Sequence, residues 1–192
     1  MAKKTRFEEL YLNTIKNELI KELNFSSPMQ APRLLKIVIN VGLKEAIGDA
    51  KLVQYAQDVI TSIAGQKAVR CNARKSIASF KLREGMPIGV MVTLRRKKMY
   101  EFFDKLITLA LPRIRDFQGT SKKMDGRGNY NIGLKEWTIF PEIDFSVGQK
   151  ISGLNVTINT SAKNDEEAIL LLEKFGMPFK KQIGSVLWHE KH

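Results

Sequence analysis

Histidine and cysteine are almost missing from this 192-residue chain, which has two of the first and one of the second. His189 and His192 both lie near the C-terminal end, so the rest of the chain has no imidazole to act as a neutral-pH acid or base. Their i, i+3 spacing suits at most weak metal binding, weighed against an unstructured tail, and no resident metal or cofactor is expected. Cys71 alone excludes an intrachain disulfide and fits a reducing compartment. Lacking an imidazole partner, it reads as a small apolar strand residue more than as a nucleophile. Apolar runs are short: none approaches the roughly 20 residues that span a bilayer. The bases do not line one amphipathic helix, so no membrane partner is expected. The N-terminus lacks an apolar signal core, and Glu8 and Glu9 argue against an acid-poor transit peptide, which makes the cytoplasm, or an organelle matrix after processing, the expected compartment. Acid is scarce as well, with 20 Asp and Glu against 32 Lys and Arg, a formal charge of +12. Such a balance points to a polyanionic partner.

The excess is concentrated. Between Gln66 and Lys98 stand Lys67, Arg70, Arg74, Lys75, Lys81, Arg83, Arg95, Arg96, Lys97 and Lys98, opposed by Glu84 alone. Within this stretch, 74–89 has neither a helical nor a strand period and is bounded by glycine and proline, a long cationic loop of the kind that usually carries function.

Around the loop, periodicity predicts alternating helices and strands without a regular βαβ rhythm. Phe7, Tyr11, Ile15, Leu19 and Leu23 recur every four residues over 5–23, with Leu10 beside them, as in an amphipathic helix. Over 35–41, Leu35, Ile37, Ile39 and Val41 take one face of a strand and Lys36, Val38 and Asn40 the other. A helix capped by Asp49 carries Leu52, Ala56, Val59, Ile60 and Ile63 and stops at Gly65. Residues 66–71 read as a short strand. In the strand over 88–94, Ile88, Val90, Val92 and Leu94 oppose Gly89, Met91, Thr93 and Arg95. Met99, Phe102, Phe103, Leu106, Leu109 and Ala110 mark a helix ended by Pro112. Residues 117–133 read as an exposed, glycine- and lysine-rich excursion, followed by an apolar return over 137–141. Leu154, Val156, Ile158 and Thr160 alternate as a strand, and a helix starting at Asn164 or Asp165 ends before Gly176 and Pro178. The expected class is α+β: a mainly antiparallel sheet packed by helices, with long basic and glycine-rich protruding loops.

Catalytic motifs do not accumulate. Gly126-x-Gly128 lacks the third glycine, following helix and later acid of a dinucleotide site, and a turn explains it. Glu142 and Asp144 alternate about Ile143 as a paired-acid site would, but without companions. Asn24-Phe25-Ser26 and Asn155-Val156-Thr157 match the glycosylation triplet, which matters only in a secreted chain. The polar strand faces carry more. Bases neutralise phosphate without reading sequence, whereas amides and hydroxyls address base edges and 2′-hydroxyls. Asn40, Gln66 and Thr93 lie on or beside the strands of the basic sector, where each is also explicable as a solvated surface residue.

The segments 36–42 (KIVINVG), 62–67 (SIAGQK), 73–85 (ARKSIASFKLREG), 112–117 (PRIRDF) and 140–144 (FPEID) resemble the bacterial-type large-subunit ribosomal protein L5 family, in order over about 11–181. The resemblance implies a single domain over 1–181 that binds 5S rRNA in the central protuberance. It also implies contact with 23S-type rRNA, the peptidyl-site tRNA, other 5S-binding ribosomal proteins and a small-subunit head protein across an intersubunit bridge. By the same resemblance Asn40, Gln66 and Thr93 fall at 5S rRNA-contacting positions, with Lys36 and Arg95 beside them. Arg74, Lys75, Lys81 and Arg83 belong to the loop that reaches the tRNA, and Lys135, Glu136, Glu142 and Asp144 to the bridge. The chain departs from the family pattern in a C-terminal extension, 182–192, to which no role is assigned. The expectation is a non-catalytic structural constituent of the large subunit, ribosome-bound in the cytoplasm. The alternatives are a general structured-RNA-binding protein, a sequence-independent nucleic-acid packaging protein or an RNA-modifying enzyme, the last lacking an acid–base set.

Overall fold

The computed structural model describes residues 4–44, 50–143 and 152–180. Strands β1 (Leu34–Gly42), β2 (Val69–Asn72), β3 (Pro87–Leu94), β4 (Tyr130–Leu134) and β5 (Leu154–Thr160) form one sheet in the order β2-β3-β1-β5-β4. Every pairing is antiparallel, and together with the helices this is the expected α+β architecture. The central strand β1 sets Ile37 against Leu94 on one side and Ile158 on the other. Strict alternation sends Ile37, Ile39 and Val41, then Val90, Val92 and Leu94, then Leu154, Val156 and Ile158 into the core, all at 2% exposure or less.

Leu35 departs from the predicted face. It is 43% exposed, and Leu34 is buried in its place. The register with β5 shifts between Leu34 and Lys36, so one extra residue re-aims the start of β1. The strand predicted over 66–71 begins later, at Val69. The Asp49 cap lies outside the described residues.

The first helix comprises α1 (Arg6–Leu10), a π-helical turn (Tyr11–Ile15) and α2 (Lys16–Glu22). A strict four-residue step drifts around an ordinary helix of 3.6 residues per turn, and a looser π turn absorbs that drift. Phe7, Tyr11, Ile15 and Leu19 consequently share one buried stripe, while Leu10 is turned outward at 36% exposure. The helix α3 (Ala50–Ala64) buries Val53, Ala56, Val59, Ile60 and Ile63 and ends at Gly65, whose φ of +62° suits glycine. A second π turn (Leu106–Ala110) continues α4 (Arg96–Lys105), and Leu109, predicted inside, is 49% exposed.

The helix α5 (Asp165–Lys174) closes the core through the ring that follows it. Phe175 meets Phe7 at 5.6 Å, Tyr11 at 6.1 Å, Tyr100 at 6.4 Å and Phe103 at 5.4 Å between centroids. Rings from α1, its π turn and α4 thus converge on one side chain. Burial there, reinforced by the nearby Tyr11 and Glu8, pushes the Tyr100 hydroxyl up to about 12, so it stays protonated. Around the cluster, Arg6 grips the Asp104 carboxylate through Nε (3.1 Å) and Nη2 (2.5 Å), and Lys174 reaches Glu18 (3.0 Å) and Glu22 (2.5 Å).

Part of the excursion predicted over 117–133 is built into the fold. Tyr130–Leu134 is strand β4, and Thr120 makes a parallel bridge with Phe179. Its amide N–H donates to Pro178 O, and its carbonyl accepts from Lys180 N–H, both at 2.8 Å. The apolar residues of β4, Tyr130, Ile132 and Leu134, lie at alternate positions with buried side chains. Because Phe175 is enclosed by four rings, Phe175→Ala should lower unfolding free energy by about 3–5 kcal/mol, read from urea denaturation, with Phe175→Leu losing clearly less.

Candidate nucleic-acid interface

Alternation that fills the core with one half of each strand leaves the other half facing outward. Across that outer face Asn40 lies opposite Met91 on β3 and Asn155 on β5, and Asn155 opposite Gly133 on β4. In the next row Thr93, Val38, Thr157 and Asn131 face one another across the same strands. Beyond it Lys36 pairs with Asn159, and Arg95 follows β3 in extended geometry one register step past Leu94. No side chain in these rows is fully buried, so among the described residues the face is open.

Gln66 sits between α3 and β2, half-buried, and its amide Nε2 donates to the Thr93 carbonyl at 3.1 Å. Two residues far apart in sequence are thereby joined at one spot, with Asn40 one strand over. Asn40 and Thr93 make no side-chain hydrogen bond among the described residues, leaving an amide and a hydroxyl for a partner. Sequence reasoning does not assign Asn131, Asn155, Thr157 and Asn159 to a binding face, and notes Asn155 and Thr157 only as a glycosylation triplet. For Asn155, Thr157 and Asn159 the signal lies in the non-core half of the alternation over Leu154–Thr160, whereas Asn131 belongs to β4. Thr157 donates to Asn131 Oδ1 at 2.6 Å, and Asn159 Nδ2 to Asn129 Oδ1 at 3.0 Å, so part of this amide lattice is already ordered.

Asn129 is positioned by the glycine turn before it. Asp125 Oδ1 accepts from the N–H groups of Arg127 (2.8 Å) and Asn129 (2.9 Å), and its Oδ2 from Asn129 Nδ2 (2.7 Å). Gly126 and Gly128, at φ +81° and +72°, aim their N–H groups at Asp165 Oδ2 (3.1 Å) and Oδ1 (2.9 Å). A turn, and not a phosphate loop, therefore explains the Gly126-x-Gly128 pair, and its anion is the chain's own carboxylate.

The cationic arm is a continuation of the β2–β3 hairpin. Ala73 N–H donates to Met86 O (2.8 Å), Gly85 N–H to Ala73 O (3.0 Å), and Ile77 and Leu82 exchange two backbone bonds (2.9 and 3.1 Å). A turn over Ala78–Phe80 closes it, with Lys81 left-handed at φ 51°. Arg74, Lys75, Lys81 and Arg83 are all exposed, without an ion pair or side-chain hydrogen bond among the described residues. Three other bases of the charged stretch, Arg70, Lys98 and Lys97, are committed internally. Arg70 bonds Gln57 Oε1 (2.8 Å) and Gln54, Lys98 caps α3 at Gly65 O (3.0 Å), and Lys97 pairs with Glu101 (3.6 Å).

On the far side of the fold Lys135 and Glu136 are exposed beside β4, Glu136 accepting from the Thr138 hydroxyl at 3.2 Å. Glu142 pairs with Lys105 at 2.6 Å, so its charge is partly satisfied at home. Asp144, the remaining acid assigned to this region, lies outside the described residues, as do His189, His192 and the extension.

Comparison with known families decides the lineage. A model described as Ribosomal protein L5 matches residues 27–83, and one for the C-terminal part of the same ribosomal family matches 87–179. The chain belongs to the ribosomal protein L5 family. It is a structural ribosomal protein and not an enzyme. Curated relatives named large ribosomal subunit protein uL5 agree over nearly their whole length. The one from Herpetosiphon aurantiacus is 56% identical over 176 residues, 91% of this chain and 98% of its own. That from Geobacter sulfurreducens is 57% identical with the same coverage, and that from Syntrophotalea carbinolica 56% over 178 residues, 92% and 97%. The two family matches meet in the arm, yet the sheet is built from both, β1 and β2 from the first and β3, β4 and β5 from the second.

Hydrogen bonds from Asn129 and from backbone N–H groups hold the Asp125 carboxyl below its ordinary value. A depressed carboxylate stabilises the turn above the unfolded value near 3.9 and ceases to do so as pH falls through the folded one. Amide-exchange protection at Arg127 and Asn129 should thus be constant from pH 7 to about 5 and fall below it, an effect absent in Asp125→Asn.

Proposed function

We propose that this protein is a constituent of the large ribosomal subunit, ribosome-bound in the cytoplasm, and that its open sheet face holds 5S rRNA in the central protuberance. One observation carries most of this. Among the described residues, the outer face of β3, β1, β5 and β4 is left unpacked and surfaced with Asn40, Thr93, Asn155, Thr157, Asn159 and Asn131, with Lys36 and Arg95 at one end. Side-chain amides and hydroxyls offer donors and acceptors together, which is what base edges and 2′-hydroxyls require, while the cations supply phosphate contact. Gln66 adds a further amide, anchored at the Thr93 carbonyl.

The arm over 74–85 serves a different role in this proposal. It projects Arg74, Lys75, Lys81 and Arg83 away from the sheet and reaches the peptidyl-site tRNA. The surface around Lys135, Glu136, Glu142 and Asp144 forms the intersubunit bridge to a small-subunit head protein, its acids suited to a basic partner. Neighbouring 23S-type rRNA and other 5S-binding proteins complete the surroundings. Residues 1–181 act as one domain, and 182–192 remain an extension without an assigned role. A sequence-independent packaging protein would need no amide-rich face and would bind DNA and unrelated RNA equally.

Asn40→Ala or Thr93→Ala should weaken specific 5S rRNA binding by roughly 1–3 kcal/mol in a filter-binding titration against bulk-RNA competitor. Unchanged affinity and unchanged competition would sink the face assignment. The double variant Lys81→Ala/Arg83→Ala should bind 5S rRNA normally. In reconstituted large subunits it should weaken tRNA binding and flatten its salt dependence by about 0.7–0.9 per lost phosphate contact. Collapse of 5S rRNA binding in that variant would instead merge the two surfaces into one.

A further inference from the structure

The tip of the arm carries a residue that charge does not explain. Phe80 is 66% exposed, and Ile77, across the closing pair of the hairpin, is 41% exposed. Neither joins the core, and no aromatic ring or cation is stacked on Phe80 among the described residues. The turn does not require a phenyl ring. Its geometry is made by backbone bonds, Phe80 N–H to Ile77 O (3.3 Å) and Lys81 N–H to Ala78 O (3.0 Å), with Lys81 taking the left-handed position. Turn sites of this kind favour Gly, Asn, Asp or Ser. A large ring here loses the hydrophobic benefit of burial and adds nothing to the fold.

Yet the ring is held in place. The Ile77–Leu82 pair, the Ser76 Oγ acceptor for Glu84 N–H (2.9 Å) and the Ala73–Met86 bond (2.8 Å) fix a two-stranded ribbon behind it. Around it stand Arg74, Lys75, Lys81 and Arg83, opposed by Glu84 alone. The occupant must therefore offer a flat apolar surface inside a dense negative field. Folded RNA does so wherever a nucleobase is unstacked, since its plane stacks on an aromatic ring while the flanking phosphates pair with Lys and Arg. A continuous duplex, with every base enclosed in the stack, does not.

We infer that Phe80 is a stacking platform for an unpaired or terminal base of the RNA that the arm contacts, with the surrounding cations gripping the adjacent phosphates. This rests on the proposal that the arm reaches tRNA. It adds to that proposal a contact that is apolar, planar and insensitive to salt.

The test uses large subunits reconstituted with the full chain carrying Phe80→Ala, Phe80→Leu, Phe80→Trp or Lys81→Ala/Arg83→Ala, and measures peptidyl-site affinity for deacylated tRNA across a salt series. Stacking predicts a loss of about tenfold for Phe80→Ala, a similar loss for Phe80→Leu, retained affinity for Phe80→Trp and an unaltered salt slope in all three. Equal affinity of Phe80→Leu and the unaltered chain would overturn stacking in favour of generic apolar contact. Full affinity in Phe80→Ala, with Lys81→Ala/Arg83→Ala still weakened, would overturn the platform while leaving the arm on tRNA. Full affinity in every variant would remove the arm from tRNA altogether. Weakened subunit association with intact tRNA affinity in Phe80→Ala would assign the tip to a protein partner and overturn the inference. Because Phe80 is outside the core, thermal unfolding of the free Phe80→Ala chain should match the unaltered chain, which separates these outcomes from misfolding.

Discussion

The pairing of β1 with strands on both sides is the constraint on which the other features depend. In an antiparallel sheet, side chains directly opposite one another share a face, so a single register decides the fate of three strands at once. Setting Ile39 against Val92 and Val156 sends all three into the core. The same register brings Asn40, Met91 and Asn155 together outside. A slip of one residue would put amides beneath the helices and isoleucines in water. Core and interface are thus one specification, and neither can be altered without the other.

Charge is divided by a similar logic. The stretch between Gln66 and Lys98 looks uniformly basic, but its bases separate by what they touch. Lys98 closes the end of α3, Arg70 is tied to the glutamines of that helix, and Lys97 is paired along its own helix. Those on the ribbon remain open to solvent. Cations engaged in holding the fold have less to give a polyanion than cations projected on a rigid arm, where phosphate contact displaces counterions without breaking an existing bond. The glycine turn at 126–128 shows the complement: two N–H groups in an anion-binding geometry are already taken by Asp165.

Much of this was legible in the sequence, for identifiable reasons. The strands around Asn40 and Thr93 show alternation strong enough to assign each residue to a face, and both lie outward as predicted. Leu35 was misplaced because a bulge at the start of β1 leaves no trace in a leucine pair, where either residue can occupy the core. Leu10 and Leu109 were misplaced beside π turns, since the loosened winding rotates neighbours away from an ordinary helical stripe. Strand β4 was hidden because glycine and asparagine interrupt its pattern, and its pairing with β5 becomes apparent only in three dimensions. Gln66 could be tied to Thr93 only by its tertiary hydrogen bond or by family resemblance, because no local period links a post-helix loop to a strand 27 positions away. Asn155, Thr157 and Asn159 needed only that the polar half of an alternating strand be weighed as carefully as the apolar half.

The cluster around Phe175 has a consequence for the order in which the protein can be made. Its partners Phe7 and Tyr11 leave the synthetic machinery first, and β1 pairs through Leu34 with Thr160, which emerges long afterwards. Until nearly the whole described chain has been synthesised, the apolar stripe of the first helix is met by α4, with Phe7 5.8 Å from Phe103, but lacks the ring at 175 that closes the cluster, and the central strand lacks one neighbour. Contacts so distant in sequence form slowly, because the loop-closure entropy must be overcome before they contribute. A partly synthesised chain therefore presents a sticky helix and a cationic ribbon together, in a cell rich in RNA. Its window of vulnerability lasts as long as translation takes to reach residue 175.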